Sequence, residues 1–579
     1  MSARELITEH LNLWTGAVTK KSSSGRGSNG KVELTGVKKL RELILELAVR
    51  GKLVEQNPTD EPASKLLERI RAEKLHSIKQ GEIKKRRKLP ELSEMTKPFD
   101  LPSSWEWGQL EDVGRDWGQK TPKDDFSYID VASVDSLRGE ITQPSILSAE
   151  EAPSRARKIV SEGTLIYSTV RPYLQNIAVI ESKIEPEPIA STAFAILHPL
   201  AGMPARFYLH YLRSPAFVRY VESVQTGIAY PAINDKQFFS GLVPVPPLEE
   251  QHRIVQKVDE LMALCDRLEQ QTSDQLEAHE TLVDTLLGTL TQSENATQLA
   301  DNWARLAAHF DTLFTTEQSI DKLKQTILQL AVMGRLVEQD AGDEPAENML
   351  GQLAEVKKEL ITQGRLKKER KTQPVDSEDA PYEIPESWSW CSLTDIGELA
   401  RGKSKHRPRN DPSLYQDGTV PLIQTGDVAR ASPWIKTLSA KYNQRGVEQS
   451  RLWRPGTLCI TIAANIGDTG LLSFDACFPD SVVGFTPFWS DIPPEYFEYF
   501  LRTAKQHLED FAPSTAQKNI NLEVLQKLLV PLPPASEMKR IVQKVDELIA
   551  LCDQLKERLN QASETRNQLA EAVVQGALN

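Results

Sequence analysis

Leu47-Ala-Val-Arg-Gly-Lys-Leu-Val-Glu-Gln56 returns as Leu330-Ala-Val-Met-Gly-Arg-Leu-Val-Glu-Gln339, and Arg253-Ile-Val-Gln-Lys-Val-Asp-Glu-Leu261 returns as Arg540-Ile-Val-Gln-Lys-Val-Asp-Glu-Leu548. The first offset is 330 − 47 = 283. It holds through Asp60-Glu-Pro-Ala63 and Asp343-Glu-Pro-Ala346, and again at Trp105-Glu-Trp107 and Trp388-Ser-Trp390. The second offset is 540 − 253 = 287, and upstream of it Val243-Pro-Val-Pro-Pro247 matches Val530-Pro-Leu-Pro-Pro534. The segments between these blocks are largely dissimilar. A solenoid repeats throughout at a short period; here a frame is duplicated and the inserts differ, which is how two equivalent mounts would carry two different readers.

Working outward, the blocks after each Pro-Pro have the spacing of long helices. Ile541, Val545, Leu548, Cys552, Leu555, Leu559, Ala562, Leu569 and Val573 fall on alternating four- and three-residue steps with Arg566 the one break. Ile254, Val258, Leu261, Cys265 and Leu268 keep the same steps, which blur at Gln275 and His279 and recover at Leu282 and Leu286. That is a heptad seam, and it predicts an intramolecular antiparallel pair of helices of about 35 residues, ~50 Å each. The blocks before each insert begin with a short amphipathic helix (Leu40, Leu43, Ile44, Leu47; Leu323, Ile327, Leu330) that Gly51 and Gly334 are placed to end. A second helix follows, about 63–80 and 346–363, and runs into Lys84-Lys-Arg-Arg-Lys88 and Lys367-Lys-Glu-Arg-Lys371. The inserts carry short β-rich runs (Thr164–Tyr167, Ala190–Leu197, Thr457–Ile462) and a short helix near Arg206–Arg213 or Glu495–Arg502, and read as α+β. The division is 1–104, a helical frame; 105–247, a first reader; 248–387, a spacer helix and second frame; 388–534, a second reader; 535–579, a second spacer helix.

The 579 residues exceed one core, and 40% hydrophobic with 26% charged is a globular composition. No apolar stretch approaches a membrane span, and Met1-Ser-Ala-Arg-Glu-Leu-Ile does not resemble a signal peptide. Five scattered cysteines without Cys-x-x-Cys fit a reducing cytosol and offer no zinc spacing.

The run Asn234-Asp-Lys-Gln-Phe-Phe-Ser-Gly-Leu-Val-Pro-Val-Pro-Pro-Leu-Glu-Glu-Gln-His-Arg-Ile254 and its partner Asn521–Ile541 resemble the end of a target-recognition domain entering its spacer helix, in the specificity subunits of type I restriction–modification enzymes. Gly118-Gln-Lys-Thr-Pro122 and Gly402-Lys-Ser404 resemble the Gly-Lys-Thr-Pro stretch near the start of such domains. Gly163-Thr-Leu165 and Gly456-Thr-Leu458 resemble the mid-domain Gly-Asp-Leu stretch. The second half departs in lacking Pro after Gly-Lys-Ser and in having Ser536-Glu-Met-Lys539 where Gln is usual. The resemblance implies two α+β target-recognition domains separated by long antiparallel coiled-coil spacer helices. Each domain would read one half of an asymmetric split site in double-stranded DNA. The duplicated frame would dock two methyltransferase subunits, joined by restriction/translocase subunits. The chain would have no catalytic site, bind no cofactor itself, and leave S-adenosylmethionine and ATP with magnesium to its partners.

Base edges are read by Arg, Lys, Asn and Gln, and phosphates are held by Lys, Arg and small hydroxyls. On that basis the first reader offers Arg155, Arg157, Lys158, Arg171, Gln175, Asn176, Thr226 and Tyr230. The second offers Arg401, Lys403, Lys405, Arg407 and Arg409 in one Gly/Pro-bounded stretch, then Gln517, Lys518 and Asn519. The charge runs the other way. The chain has 69 Lys/Arg against 81 Asp/Glu, net −12; Trp105–Pro247 has 13 against 17, net −4, and Trp388–Pro534 has 15 against 15, net 0. Phosphate neutralisation supplies much of DNA affinity, so the chain alone should bind weakly, with partners completing a positively lined clamp.

Rival readings exist. Gly397-Glu-Leu-Ala-Arg-Gly402-Lys403-Ser404 matches the phosphate-cradling loop of nucleotide hydrolases, but Trp390-Cys-Ser-Leu-Thr-Asp before it is not the buried apolar strand that loop needs. Gly25-Arg-Gly-Ser-Asn-Gly30 sits in a Ser/Lys-rich stretch with no strand before it. The duplicated Asp259-Glu260 and Asp546-Glu547 read as surface charges on the helices. A purely protein-binding scaffold would fit the frame and leave the two unlike inserts unexplained.

Overall fold

The computed structural model describes residues 9–20, 32–80, 89, 92, 95–227, 229–294, 296–366, 380–463, 465–510 and 520–578. The runs at 84–88 and 367–371, the Gly25–Gly30 stretch and Gln517–Asn519 lie outside the described residues. The chain forms two compact units, one of residues 1–275 with 562–579 and one of residues 276–561.

In the first unit, helix Thr35–Val49 buries Leu40, Leu43, Ile44 and Leu47. Gly51 ends it at φ +69°, where the Lys52 amide bonds back to the Leu47 carbonyl at 2.9 Å; this is the left-handed cap that glycine adopts without a Cβ penalty. Helix Ala63–Lys79 follows. Strand Glu106–Gln109 then pairs antiparallel with Leu242–Val245, Gln109 opposite Leu242 and Glu106 opposite Val245. Entry to the insert and exit from it are therefore zipped together in a two-stranded neck, and the insert's helices also share a core with the frame helix, Phe207, Tyr211 and Phe217 with Leu40, Leu43 and Leu47.

The first insert has a six-stranded sheet, Gly114–Arg115, Phe194–Pro199, Leu165–Ser168, Ile177–Val179, Glu140–Ile141 and Val134–Asp135 in spatial order. A four-stranded sheet is ordered Ser145–Leu147, Phe126–Ile129, Pro188–Ser191, Ala156–Ile159. The central strands are apolar on both faces because both are covered. Leu165 and Tyr167 join the core of helices Ala205–Arg213 and Pro215–Val224, while Ile166 faces a second core with Ala178, Phe194 and Ile196. That is the period of two that a strand imposes. The run Ala190–Leu197 does not stay one strand: a turn at Thr192-Ala193 sends Pro188–Ser191 and Phe194–Pro199 into different sheets.

The second unit repeats this plan. Helix Glu317–Val332 ends at Gly334 (φ +68°), and the Arg335 amide reaches the Leu330 carbonyl at 2.9 Å. Ser389–Ser392 pairs with Leu529–Leu532 as the neck. Its sheets are ordered Gly397–Arg401, Val482–Pro487, Leu458–Thr461, Thr469–Leu471, and Ala440–Tyr442, Val420–Leu422, Ala476–Cys477, Leu452–Trp453. The helix expected near Glu495–Arg502 is longer, Pro494–Asp510. Residues 290–318 include helices Ala296–Ala308 and Phe310–Leu313, with Leu306 and Leu313 in this unit's core.

The two long helices, Leu248–Thr291 and Ala535–Leu578, have 44 residues each. The first unit's core takes Ile254, Val258 and Cys265 from the start of one and Ala570 from the end of the other. The second takes Val283, Leu287 and Leu290 from the end of the first and Ile541, Val545 and Cys552 from the start of the second. Antiparallel helices give that exchange. The heptad seam holds for about three heptads and then slips by one residue: Val283 and Ala570 are buried, whereas Leu282 and Leu569 are 49% and 52% exposed and Ala562 is exposed. From Ile254 to Leu290 the inward stripe takes ten steps over 36 residues, 3.6 per step. A straight α-helix drifts by ~20° per heptad against a 3.5-residue repeat, so over this length the buried face moves one position on.

All five cysteines are buried and unbridged. Among the described residues, no helix is long and apolar enough to cross a membrane.

Candidate nucleic-acid interface

The duplicated residues build the same joint in each unit. Trp105 Nε1 donates to Glu250 Oε2 at 3.0 Å, Gln56 Nε2 to Glu250 Oε1 at 2.5 Å, and Arg253 pairs with Asp60 at 2.6 Å. Trp388 donates to Glu537 at 3.0 Å, Gln339 to Glu537 at 2.5 Å, and Arg540 pairs with Asp343 at 2.7 Å. Each joint ties the frame, the neck and the start of a long helix together, which explains why these residues recur while the inserts diverge. Burial raises both glutamate carboxyls, Glu250 and Glu537, above their ordinary value. A carboxyl raised on folding stabilises the native state below its unfolded value, and that contribution fades as pH rises through the folded value. Chemical-denaturation curves from pH 4 to 8 should therefore show a smaller pH-dependent loss of stability in the E250Q/E537Q variant than in the parent chain.

The duplicated aspartates of the long helices are not free surface charges. Asp259 faces His210 at 3.4 Å and Arg206 at 3.5 Å, and Asp546 accepts the Tyr499 hydroxyl. Each connects its helix to the reader helix beside it. Glu260 and Glu547 do point outward, to Lys257 at 2.9 Å and Lys544 at 3.5 Å.

In the first reader a ladder of backbone hydrogen bonds gathers most of the candidate residues. The Thr192 amide bonds to the Arg155 carbonyl at 2.8 Å, Thr169 to Ala193 at 2.8 Å, Ile233 to Thr169 at 2.9 Å and Arg171 to Pro231 at 2.8 Å. Thr226 and Ala232 exchange two bonds of 2.9 Å. The turn carrying Arg171, Gln175 and Asn176 thus lies against the loop carrying Thr226 and Tyr230, with Arg155 on the adjoining strand end. Arg171 (φ +49°) and Gln175 (φ +50°) are both left-handed, a conformation that costs an L-residue ~1–2 kcal/mol. The Arg171 guanidinium lies 5.0 Å from the centre of the Tyr230 ring. Arg155, Arg171, Thr226 and Tyr230 are exposed, Gln175 and Asn176 half-buried. Arg157 is also half-buried, bonded to Thr121 and to the Ser154 carbonyl at 3.3 Å.

Lys158 is different. It is 3% exposed, with its ammonium 3.1 Å from Asp116 and 2.9 Å from Asp235. The sequence puts it beside Arg155 and Arg157 as a DNA contact; strand alternation turns it inward into an ion pair, where no phosphate reaches it.

In the second reader Arg401 closes strand Gly397–Arg401, and the chain continues as an irregular segment in which Gly402 and Ser404 are buried and the lysines and arginines are exposed. The Gly402 amide bonds to Val482 at 2.8 Å, Lys403 to Phe478 at 3.0 Å, and the Lys405 and His406 amides to the Gln449 side chain at 2.7 and 3.0 Å. Arg407 folds back onto the carbonyls of Ser404 and His406, both at 2.8 Å. Arg409 Nη2 donates to both carboxylate oxygens of Asp480, at 2.7 and 2.9 Å. Arg401, Lys403 and Lys405 are exposed and have no carboxylate partner among the described residues. Asp411, bonded to the Ser413 amide and to His406, is held down to about 2. The sheet strand starts at the first glycine of the Gly-x-x-x-x-Gly-Lys-Ser match, and no helix follows the serine, so the segment is no phosphate loop.

Sequence reasoning found one turn of a pair, that of Arg171–Asn176, and missed its counterpart in the second reader. The Ile520 amide bonds to the Ile462 carbonyl at 3.0 Å as Ile233 does to Thr169. This makes the turn around Asn465–Asp468 the counterpart of Val170–Asn176. The signal available was its distance beyond the repeated Gly163 and Gly456.

A family model described as the type I restriction modification DNA specificity domain matches residues 102–278 and 385–564. The chain is 37% identical over 600 residues to the type I restriction enzyme EcoAI specificity subunit of Escherichia coli. It is 36% identical over 605 residues to the EcoEI specificity subunit of the same species, with 100% of both chains covered in each case. A solved chain from work on complex assembly and conformational transition of the type I R-M system superposes with a TM-score of 0.51 at 23% identity, covering 83% of this chain and 99% of that one; this is a likeness of fold. Two matched domains on a duplicated frame, with full-length relatives well above 30% identity, place this chain in the family of type I restriction–modification specificity subunits.

Proposed function

We propose that residues 105–247 and 388–534 each read one half of an asymmetric, split site in double-stranded DNA. The two readers are joined through the long helices; half-sites one helical turn apart lie about 34–36 Å from centre to centre. The observation that carries this reading is the pairing of two unlike inserts with one repeated neck and joint: Trp105–Glu250 and Trp388–Glu537 are the same contact, while the surfaces they support differ. The chain is a non-catalytic recognition subunit of a restriction–modification system. Its duplicated frame docks two modification subunits, which bring S-adenosylmethionine, and restriction/translocase subunits bring ATP and magnesium, in the cytosol.

The DNA-facing residues we assign are Arg155, Arg157, Arg171, Gln175, Asn176, Thr226 and Tyr230 in the first reader. In the second they are Arg401, Lys403, Lys405, Arg407 and Arg409, with Gln517, Lys518 and Asn519. Lys158, sealed in its ion pair, is not among them. The net charge of −12 supports weak binding by the isolated chain.

The test is co-expression with the cognate modification subunit, followed by sequencing of methylated host DNA. The expected result is a split, asymmetric motif with methylated adenines that appears only with this chain present. Exchanging residues 105–243 for another reader should change one half of the motif and leave the other intact. A stable complex without new methylation would favour a scaffold instead.

A further inference from the structure

We infer that the Arg171–Gln175 turn, with Tyr230 beside it, reads its half-site by apolar contact with the bases, at a thymine methyl or an exposed base face, and not by charge. This rests on the reading proposed above and names how one reader works. Val170, Tyr173, Leu174 and Tyr230 are 42%, 57%, 47% and 68% exposed, and together they form the tip of two loops joined by the Val170–Ala232 and Thr226–Ala232 bridges. Large apolar side chains standing together in solvent mark an interaction surface.

The occupant follows from the surrounding chemistry. Residues 168–177 and 225–234 contain no Asp or Glu and one cation, Arg171, within a reader of net charge −4. A surface that only gripped phosphates would be basic; this one has excluded the carboxylates that would repel DNA while presenting carbon. The donors that read base edges, Arg171, Gln175, Asn176 and Thr226, flank the apolar tip, so contact with base edges and contact with carbon fall on one footprint. The turn is also braced. The Leu174 and Gln175 amides bond to the Arg171 and Pro172 carbonyls at 3.0 Å, and the Arg171 guanidinium lies against Tyr230. A braced turn holds Tyr173 and Leu174 outward at little further entropic cost on binding. Apolar side chains read thymine through its methyl group, or partly unstack a base step by wedging into it.

The experiment uses the full-length chain assembled with its modification subunits, and a duplex carrying the motif recovered by methylome sequencing. The Tyr173→Ser/Leu174→Ser variant should bind that duplex about ten- to a hundredfold more weakly. Its slope of affinity against salt, its binding to random DNA and its melting temperature should stay unchanged. Two signals separate the sources. If replacing one thymidine by deoxyuridine weakens the parent complex and not the variant, the contact is a thymine methyl. If 2-aminopurine fluorescence in that half-site rises when the parent binds and not when the variant does, the contact is a base face. A weakened variant with neither signal owes its loss to loop geometry and overturns the inference. So does a variant that binds its motif normally, or one that fails to assemble with the modification subunits. A parent complex with no preference for its motif overturns the underlying reading as well.

Discussion

Replacing Trp105 by alanine is expected to lower the stability of the first unit by about 3–5 kcal/mol, and Trp388→Ala to do the same to the second. Both rings are nearly sealed, at 4% and 5% exposure. A Cβ at Gly51 would lie 3.2 Å from the Trp105 ring and one at Gly334 3.0 Å from that of Trp388, so each indole packs on the turn that ends a frame helix. Truncation leaves a cavity that helix caps on one side and a strand neck on the other cannot both collapse into. It also takes away the Nε1–H donor from Glu250 or Glu537, carboxylates that are themselves buried. The two effects separate with phenylalanine, which keeps most of the ring and loses the donor: Trp105→Phe should cost ~1–2 kcal/mol. Differential scanning calorimetry with hydrogen exchange would assign each loss to its unit. A change below about 1 kcal/mol for Trp105→Ala, well under the ~3–5 kcal/mol usual for losing a buried ring, would mean that the joint is dispensable and that the recurrence of its residues needs another cause.

This joint also shows what the sequence makes legible. Gln56, Asp60, Trp105, Glu250 and Arg253 recur at fixed offsets as Gln339, Asp343, Trp388, Glu537 and Arg540 because one three-dimensional contact set selects all five in both halves. Repetition therefore exposes the frame, the neck and the long helices in the order of residues alone. It says less where a pattern is only approximately periodic. The heptad phase of Ile254–Leu268 extrapolates to Leu282, yet Val283 is the buried residue, because the difference between 3.5 and 3.6 residues per turn adds up along 44 residues. The readers, being unlike, have no internal copy to be compared with. Selecting their candidate residues by chemical type finds Arg171 and Gln175 but is blind to Tyr173 and Leu174 between them. Type alone also cannot tell an outward lysine from an inward one.

Lys158 makes that last distinction measurable. Lys158→Met should destabilise the first unit by about 3 kcal/mol, because removing one member of a buried ion pair strands its partner's charge. Asp116 bears most of that penalty; its side chain is 9% exposed, whereas that of Asp235 is 46% exposed and is relieved by solvent. The second substitution Asp116→Asn should restore at least half of the loss. The amide oxygen can still accept the Gly118 N–H now bonded at 2.9 Å to the carboxylate, and the one charge left without its partner, Asp235, is half-exposed to solvent. Additive losses in the two single variants and the double would show that Lys158 and Asp116 are not coupled. A phosphate-contacting lysine behaves in the opposite way: its loss lowers the salt slope of DNA binding by about one and leaves stability alone. For K158M the salt slope of the assembled complex should match that of the parent while the melting temperature falls. Through Asp235, the first residue of the helix Asp235–Phe239, the same lysine is anchored just past the loop that carries Thr226 and Tyr230. If that loop reads DNA as proposed, any effect of K158M on binding should appear as lost discrimination between sites and not as lost affinity for phosphate.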